Sequence, residues 1–295
     1  MSAVTPSAAP TAAVRTRSEH GAFGGVQGFY EHDSPACAGP MRWSLYLPPA
    51  ARGGGRVPVV YFLAGLTCTE ETFAIKAGAQ RMAAELGLAL VSPDTSPRAA
   101  RFAGDDADWD FGLGAGFYLD AAAEPWSAAY RMETFVTREL VEVVEASFPV
   151  LADRRSIMGH SMGGHGALTL ALRHPGRYQS VSAFAPIAAP SQVPWGEKAF
   201  AGYLGADRAA WREHDATALV GAGHRFPGEV LIDQGESDKF LATQLRPELL
   251  AAACQAAGQP LRLRRHAGYD HGYWFIQTFM QDHLRLHAAA LGAAA

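Results

Sequence analysis

One pentapeptide constrains the fold of this 295-residue chain more than any other feature, because it places glycine two residues before and two residues after a serine: Gly159-His160-Ser161-Met162-Gly163. A run with strand character (156–158) precedes it, and a stretch that predicts a helix (163–173) follows. Strand and helix can close around the serine only if both flanking positions lack side chains. Such a turn lifts the Ser161 hydroxyl above a sheet and beside the free N–H groups of a helix N-terminus. We therefore expect Ser161 to be a nucleophile.

The rest of the chain alternates short apolar runs with longer amphipathic stretches. The short runs, with their β-branched residues and Pro/Gly boundaries, predict strands at residues 41–47, 57–63, 88–92, 156–158, 180–184, 230–232 and 261–265. The amphipathic stretches predict helices at residues 69–86, 130–148, 163–173, 239–258 and 273–290. This alternation is typical of a mostly parallel central sheet with helices on both faces. Together with the strand–serine–helix turn, it predicts an α/β-hydrolase fold.

The length and composition fit one large domain. With 48% hydrophobic residues, the chain can bury an ample core. Residues 1–20, which are rich in Ala, Ser, Thr and Pro, predict a disordered N-terminal tail, and residues 21–290 predict a single domain. Residues 93–123 form a long irregular stretch rich in Asp, Gly and aromatics. We expect this stretch to form part of the active-site rim, because long loops in compact domains are usually functional.

Charge and cysteine content exclude several classes of function. A net charge of −4 gives no reason to expect nucleic acid or an anionic membrane as a partner. No apolar run is long enough to span a bilayer. Three widely separated cysteines (Cys37, Cys68 and Cys254) argue for a reducing compartment and against a disulfide framework or a zinc site. We expect a cytoplasmic enzyme without a metal or another cofactor.

A serine nucleophile needs a base, and in α/β-hydrolases the base is a histidine on a loop after a late strand. His271 follows the predicted strand 261–265 and precedes the last predicted helix, which is the position of the base among the 11 histidines. His266, within the strand region, is expected to be structural. His283 and His287, on the last helix, are expected to be solvated. The side chain of His160 is expected to point away from the serine.

The acid that orients the base should follow the strand before His271. Three carboxylates stand there: Asp233, Glu236 and Asp238. Asp238 directly precedes a predicted helix and is the first choice, with Asp233 and then Glu236 as alternatives. Asp233 is expected to anchor its loop through backbone N–H groups. Asp270, next to the base in sequence, is expected to hold the base's loop.

The tetrahedral oxyanion needs two backbone donors, one from the residue after the nucleophile and one from an earlier strand–helix loop. The first donor is the amide of Met162. The second is predicted to be the amide of Leu66, since Gly65 before it permits a close approach of the backbone. Cys68, two residues further on, either lines the site or is an ordinary small buried residue.

Seven segments of the chain resemble the S-formylglutathione hydrolase (esterase D) family: 63–70, 92–98, 109–118, 159–166, 182–187, 194–196 and 269–271. The resemblance runs from about residue 21 to residue 287. It implies a cytosolic, usually dimeric serine hydrolase that splits the thioester S-formylglutathione into formate and glutathione. It assigns the triad to Ser161, Asp238 and His271, and the family's site cysteine to Cys68. Ala64 and Gly272 depart from the residues common in the family, although neither position carries a catalytic group.

Since formyl is the smallest acyl group, we expect a cramped acyl pocket, with Trp126, Trp195 and Cys68 as candidate walls. Lys76, Arg98, Arg101 and Lys198 are candidate partners for the charged groups of glutathione, and each is also well explained as a plain surface charge. A broad carboxylesterase acting on small acyl esters would carry the same triad and remains the alternative. An acyltransferase, or an inactive hydrolase fold that only binds, are further alternatives. The intact serine, aspartate and histidine set argues against the last.

Overall fold

A nine-stranded sheet organises the computed structural model, which describes residues 13–293. The spatial order of the strands is β1-β2-β3-β5-β4-β6-β7-β8-β9. The six strands β4 to β9 pair with one another in parallel. The strands β1, β2 and β3 pair antiparallel with each of their neighbours, and β3 joins the parallel part through β5. The strands are β1 (Arg15–Ala22), β2 (Gly25–Ser34), β3 (Gly39–Leu47), β4 (Val57–Leu63), β5 (Ala89–Pro93), β6 (Val150–His160), β7 (Val181–Phe184), β8 (Val230–Gly235) and β9 (Leu261–His266).

Within the same residues, ten α-helical segments surround the sheet: α1 (Glu70–Lys76), α2 (Gln80–Leu86), α3 (Met132–Thr134), α4 (Leu140–Ser147), α5 (Met162–Arg173), α6 (Pro194–Tyr203), α7 (Arg208–Trp211), α8 (Ala216–Gly221), α9 (Pro247–Ala257) and α10 (Tyr273–Leu291). A π-helical turn, Phe135–Glu139, joins α3 to α4. No helix in residues 13–293 combines the length and the apolar character that a membrane span requires.

The predicted placement of helices on both faces is confirmed by two adjacent residues of β7. Side chains of successive strand residues point to opposite faces of a sheet. Ser182 contacts His287 and His283 of α10, whereas Ala183 faces the start of α5 at Gly164. The seven predicted strands all form, and the run 156–158 is the inner part of the longer β6.

The predicted tail at residues 1–20 is wrong from Arg15 onward. Residues 15–22 form β1, the edge strand, which pairs antiparallel with β2. Most β1 side chains are exposed, so the strand carries no apolar alternation that a sequence pattern would reveal. The strand is held instead by its backbone ladder and by ion pairs from Arg15 to Glu31 and Asp33, at 3.0 and 2.8 Å. Residues 1–12 lie outside the described part of the chain.

Two long predicted helices are interrupted. The stretch 69–86 divides into α1 and α2 around Gly78, whose φ of 63° is left-handed. The stretch 239–258 becomes a π-helical turn and then α9, separated by Arg246 at φ 49°, immediately before Pro247. The residue before a proline is disfavoured in right-handed helix, so the break follows from the sequence. The predicted irregular stretch 93–123 is confirmed from residue 94 onward, whereas Pro93 is the last residue of β5.

The expectation that His283 and His287 are solvated is wrong, because both rings are fully buried against the sheet. His283 Nε2 lies 3.2 Å from Asp233 Oδ2, and its Nδ1 lies 2.8 Å from Ser182 Oγ. Burial lowers the pKa of His283, so the ring is neutral and has one donor and one acceptor. A carboxylate only accepts, so Nε2 donates to Asp233 and Nδ1 accepts from the Ser182 hydroxyl.

The same reasoning extends this buried hydrogen-bonded chain towards β6. Ser182 Oγ has donated its proton, so at 2.8 Å it accepts from His287 Nε2. Burial lowers the pKa of His287 to about 3, so its Nδ1 is an acceptor for Ser180 Oγ at 2.7 Å. Ser180 in turn accepts from Ser156 at 2.6 Å. Every side chain in this hydrogen-bonded series, from Asp233 to Ser156, therefore has a partner, as a buried network requires.

We expect the free energy of unfolding to fall as the pH is lowered from about 6.5 towards 5. Burial lowers the pKa of His287 and of His165 to about 3 in the folded protein. Histidine in the unfolded chain titrates near 6.5, so below that pH the unfolded state binds more protons and is favoured, by up to about 1.4 kcal/mol per pH unit for each histidine. Denaturant unfolding at pH 7.5, 6.0 and 5.0 measures the slope. His287→Gln should reduce it, and a stability that does not change over this range would contradict the prediction.

Candidate active site

The serine turn has the strained geometry that the pentapeptide predicts. Ser161 joins β6 to α5 with φ 57° and ψ −118°, a conformation that L-residues rarely adopt. Its amide donates to Phe184 O at 2.9 Å, and its carbonyl accepts from Ile187 N at 3.2 Å, so β7 and the loop after it hold the turn. A Cβ added at Gly159 would collide with the Gly163 carbonyl oxygen, and one at Gly163 would collide with the Leu63 carbonyl. Both positions therefore require glycine.

An aspartate and a histidine meet at the carboxyl ends of the last two strands. His271 Nδ1 lies 2.5 Å from Asp238 Oδ2. The Asp238 side chain is fully buried, and its Oδ1 accepts from the Phe240 amide at 2.8 Å. The carboxylate is thus fixed and can accept from Nδ1–H, which leaves Nε2 of His271 free to exchange a proton with a reacting group. The His271 ring keeps 18% of its side-chain surface exposed, so substrate can reach it.

The other two candidate acids have different surroundings. Asp233 lies inside β8 with no exposed side-chain surface, and it binds Arg264 through two contacts of 2.6 Å. Burial alone would raise the pKa of Asp233, but the hydrogen bonds from His283 and Arg264 outweigh it and lower the pKa below its ordinary value. Its side chain therefore anchors β9 and α10 rather than backbone amides of its own loop. Glu236 is exposed.

Two further expectations concern residues next to the base. Asp270 accepts from the Gly272 amide at 2.8 Å and so holds the loop of the base, as predicted. His266 packs its ring on Phe279, with centroids 3.8 Å apart, and lies 3.3 Å from Asp233. That surrounding fits the structural role expected for His266.

The two predicted oxyanion donors belong to residues that follow Ser161 and Gly65. Met162 follows the serine, and Leu66 follows Gly65, whose Cβ position is 3.2 Å from Ser161 Cβ. Within residues 13–293 neither amide donates to another backbone carbonyl, so both remain available to an anion. The loop before Leu66 is fixed by Tyr118, whose hydroxyl donates to Ala64 O at 2.9 Å.

Gly65→Ala should lower kcat by about 10-fold with little change in KM, because a small displacement of the Leu66 amide, our candidate oxyanion donor, weakens its hydrogen bond in the transition state. The added Cβ would lie 3.1 Å from His160 Nδ1 and 3.2 Å from Ser161 Cβ, so the loop that carries Leu66 or these neighbours must move by a few tenths of an ångström. Gly21→Ala is the matched control, since a Cβ there meets no atom within 4 Å. Equal kcat values for the two variants would contradict the prediction.

The His160 ring packs against the ring of His271, a contact that the sequence did not predict. Its ring centroid lies 4.5 Å from that of His271, and it is 6% exposed. Neither ring nitrogen has a hydrogen-bond partner within the described residues. Burial, and then the neighbouring His271, hold the pKa of His160 well below its ordinary value, so the ring stays neutral. His160 belongs to the pentapeptide, but its contact with His271 arises only because the loop after β9 folds back to the serine turn.

The three candidate pocket walls lie in different surroundings. The Trp195 ring packs 4.7 Å from Phe240, whose ring is 5.2 Å from that of His271. Cys68 is a half-buried free thiol on the loop that carries Leu66, and burial raises its pKa. Trp126 packs in an aromatic cluster whose members do not include a triad residue: Phe102, Phe111, Tyr130 and Tyr203. No three His, Cys, Asp or Glu side chains in residues 13–293 are grouped as metal ligands would be.

Comparisons with known proteins agree along nearly the whole chain. Residues 34–286 match the family model described as Putative esterase. The S-formylglutathione hydrolase of Paracoccus denitrificans is 54% identical over 96% of this chain and 100% of its own length. That of Mus musculus is 50% identical over 95% of this chain and 100% of its own length.

Solved structures give the same result for the fold. The structure of an S-formylglutathione hydrolase from Agrobacterium tumefaciens has a TM-score of 0.90 at 50% identity, and the match covers 94% of this chain and 99% of that one. A ferulic acid esterase, at 18% identity, has a TM-score of 0.72 and shares the fold alone. The predicted α/β-hydrolase fold is therefore confirmed.

Proposed function

Because this chain belongs to the S-formylglutathione hydrolase family and is a hydrolase, we propose that it cleaves the thioester S-formylglutathione to formate and glutathione. The observation that carries the proposal is the buried Asp238–His271 pair, joined at 2.5 Å, beside a serine in a strained strand–helix turn. The full-length similarity to relatives of that name supports the choice of substrate.

In the acylation step, Ser161 Oγ bonds to the formyl carbon while His271 Nε2 takes its proton. The oxyanion that forms is stabilised by the Leu66 and Met162 amides, and such a donor typically contributes about 3 to 4 kcal/mol in the transition state. The carbon–sulfur bond then breaks, and His271 Nε2 gives its proton to the departing sulfur, which frees the ring to act as a base again. A thiolate with a pKa of about 8.5 leaves readily, so this step needs less acid assistance than cleavage of an amide.

In the deacylation step, His271 takes a proton from water as the water oxygen attacks the formyl-enzyme ester. The bond between the formyl carbon and Ser161 Oγ breaks, Oγ regains a proton from His271, and formic acid leaves and ionises to formate in solvent. Asp238 holds the imidazole in the tautomer with Nδ1–H and stabilises the imidazolium that forms in both steps. The two steps return the enzyme to its starting state.

Selectivity for the formyl group would come from a narrow space around the acyl carbon. Trp195, through Phe240, and Cys68, on the oxyanion loop, border the catalytic groups and remain our candidate walls. Trp126 remains a prediction, since its aromatic contacts lead away from His271. We also keep the expectations of a homodimer and of a cytoplasmic location, and sedimentation and fractionation would test them.

The proposed substrate is tested by kcat/KM for S-formylglutathione beside S-lactoylglutathione and p-nitrophenyl acetate, with Ser161→Ala as the blank. A preference of several orders of magnitude for the formyl thioester would support the proposal. Comparable or faster turnover of the ester would favour the broad carboxylesterase instead, since the triad would be the same and only the pocket would differ.

A further inference from the structure

A row of aromatic rings leads from the catalytic base to the surface. The Phe240 ring lies 5.2 Å from His271, Trp195 lies 4.7 Å from Phe240, and Trp109 lies 5.5 Å from Trp195. We call Phe240, Trp195 and Trp109 the aromatic row. Its outer member, Trp109, is 55% exposed although it is among the largest apolar side chains. The core therefore does not account for a tryptophan at this position.

Charged groups of both signs line the aromatic row. Lys198, one turn after Trp195 on α6, places Nζ 2.9 Å from Asp108 Oδ2 and 2.5 Å from Asp110 Oδ1. These two aspartates are the sequence neighbours of Trp109. Asp110 is largely buried, whereas the Asp108 side chain is 59% exposed and faces solvent beside the tryptophan.

The inner end of the row carries a second cation. Lys239 Nζ lies 4.9 Å from the centre of the Phe240 ring and is exposed. It has no carboxylate partner within the described residues. The chain has three lysines in 295 residues, Lys76, Lys198 and Lys239, so two of the three lie along the aromatic row.

We propose that the aromatic row, with Lys239, Lys198 and Asp108, binds the tripeptide part of the glutathione thioester. This inference rests on the proposed function and identifies the residues that hold the leaving group. Glutathione carries two carboxylates and one ammonium group. One carboxylate binds Lys239 near the catalytic base, and the other binds Lys198, while the ammonium group binds Asp108.

The dimensions fit this arrangement. Each step of the row is about 5 Å between ring centroids, so Trp109 lies no further than three such steps from His271. An extended tripeptide reaches roughly 10 Å from its central sulfur-bearing residue to an end, at about 3.5 Å per unit and with one longer γ-linked unit. A thioester whose carbonyl lies at Ser161 can therefore place its γ-glutamyl end on Trp109, where peptide planes stack on the indole face.

The test compares two formyl thioesters that differ only in the thiol part, S-formylglutathione and the formyl thioester of N-acetylcysteamine. The measured quantity is the ratio of their kcat/KM values. Trp109→Ala should lower this ratio about tenfold through loss of stacking and apolar contact. Lys239→Gln and Asp108→Asn should each lower it about fivefold, as expected for an exposed ion pair. In the wild type the ratio should also fall as salt is added, because these pairs are screened.

Two matched controls lie outside the aromatic row, one at each edge of the sheet. Phe23→Ala removes an exposed aromatic ring at the β1–β2 turn, and Arg262→Gln removes an exposed cation paired with Glu229 at the start of β9. Both should leave the ratio unchanged. Turnover of the small thioester by every variant reports that the catalytic groups are intact.

The kinetics distinguish a wrong assignment of the binding site from a wrong assignment of the substrate. If the wild type hydrolyses S-formylglutathione faster than the small thioester, and Trp109→Ala, Lys239→Gln and Asp108→Asn keep that ratio, the aromatic row is not the binding site and the proposed function stands. If the wild type does not turn over S-formylglutathione, the proposed function fails and this inference falls with it.

Discussion

Ser161→Ala should lower kcat/KM for a formyl thioester by about 10⁵- to 10⁶-fold, which is the size of the loss when a triad serine is removed from a serine hydrolase. The residual rate would come from the oxyanion donors and from substrate binding alone. The substitution removes one oxygen from a side chain that is 3% exposed, so the fold should persist. Single-turnover hydrolysis at saturating enzyme measures the loss.

A stability measurement separates loss of chemistry from loss of structure. The φ of 57° at Ser161 strains any residue with a Cβ. Ser161→Gly should therefore be inactive but more stable than the wild type, by about 1 to 3 kcal/mol in the free energy of unfolding. If Ser161→Ala retained more than a thousandth of the wild-type rate, another nucleophile would be acting. Cys68 would be the first to test, by Cys68→Ala in the Ser161→Ala background.

Asp238→Asn should lower kcat by about 10⁴-fold and leave KM nearly unchanged, since the amide cannot stabilise the imidazolium and favours the wrong tautomer of His271. The native carboxylate is fully buried and lies 2.5 Å from His271 Nδ1, so no solvent can replace it. Steady-state kinetics of the wild type and the variant on a formyl thioester measure kcat and KM.

Neighbouring carboxylates provide the controls for Asp238. Glu236→Gln changes an exposed group in the same loop and Asp270→Asn changes the residue beside the base, and each should alter kcat by less than tenfold. A larger loss in Glu236→Gln than in Asp238→Asn would overturn the assignment. Asp233→Asn is not a suitable control, because it removes the anion that pairs with Arg264 and the carboxylate that accepts from the buried His283, and it should destabilise the fold.

Much of the fold is predictable because strands of a parallel sheet that are buried on both faces consist of continuous apolar runs in the sequence. Val57–Leu63 is buried at every position, and its predicted bounds are its observed bounds. β1 could not be found in this way, since its exposed residues obey no apolar pattern and its stability comes from pairing with β2. The break at Gly78 depends on how α2 packs against α10, which is a contact between distant parts of the chain.

The candidate site likewise contains residues that the sequence predicts and contacts that only the fold creates. Ser161, Asp238 and His271 could be proposed from the sequence because the fold fixes the order in which its loops supply such groups, and the structure brings Asp238 and His271 together. The contact of His160 with His271 joins residues 111 positions apart, at a ring distance of 4.5 Å. The edge-to-face contact of Trp109 with Trp195 likewise depends on the path of the chain before Ala123. Contacts of this kind, between residues that are distant in the sequence, cannot be predicted from the sequence alone.

The buried polar chain between α10 and the sheet has a direction as well as a set of contacts. Asp233 can only accept, so its charge dictates which nitrogen of His283 carries hydrogen, and through Ser182 it dictates the same for His287. The hydroxyl of Ser156, at the far end, is aligned by a carboxylate two strands away. Neutralising that one carboxylate would free every dipole in the line to reverse. The ring ¹⁵N chemical shifts of His287 would report the resulting change of tautomer, although His287 itself does not contact Asp233.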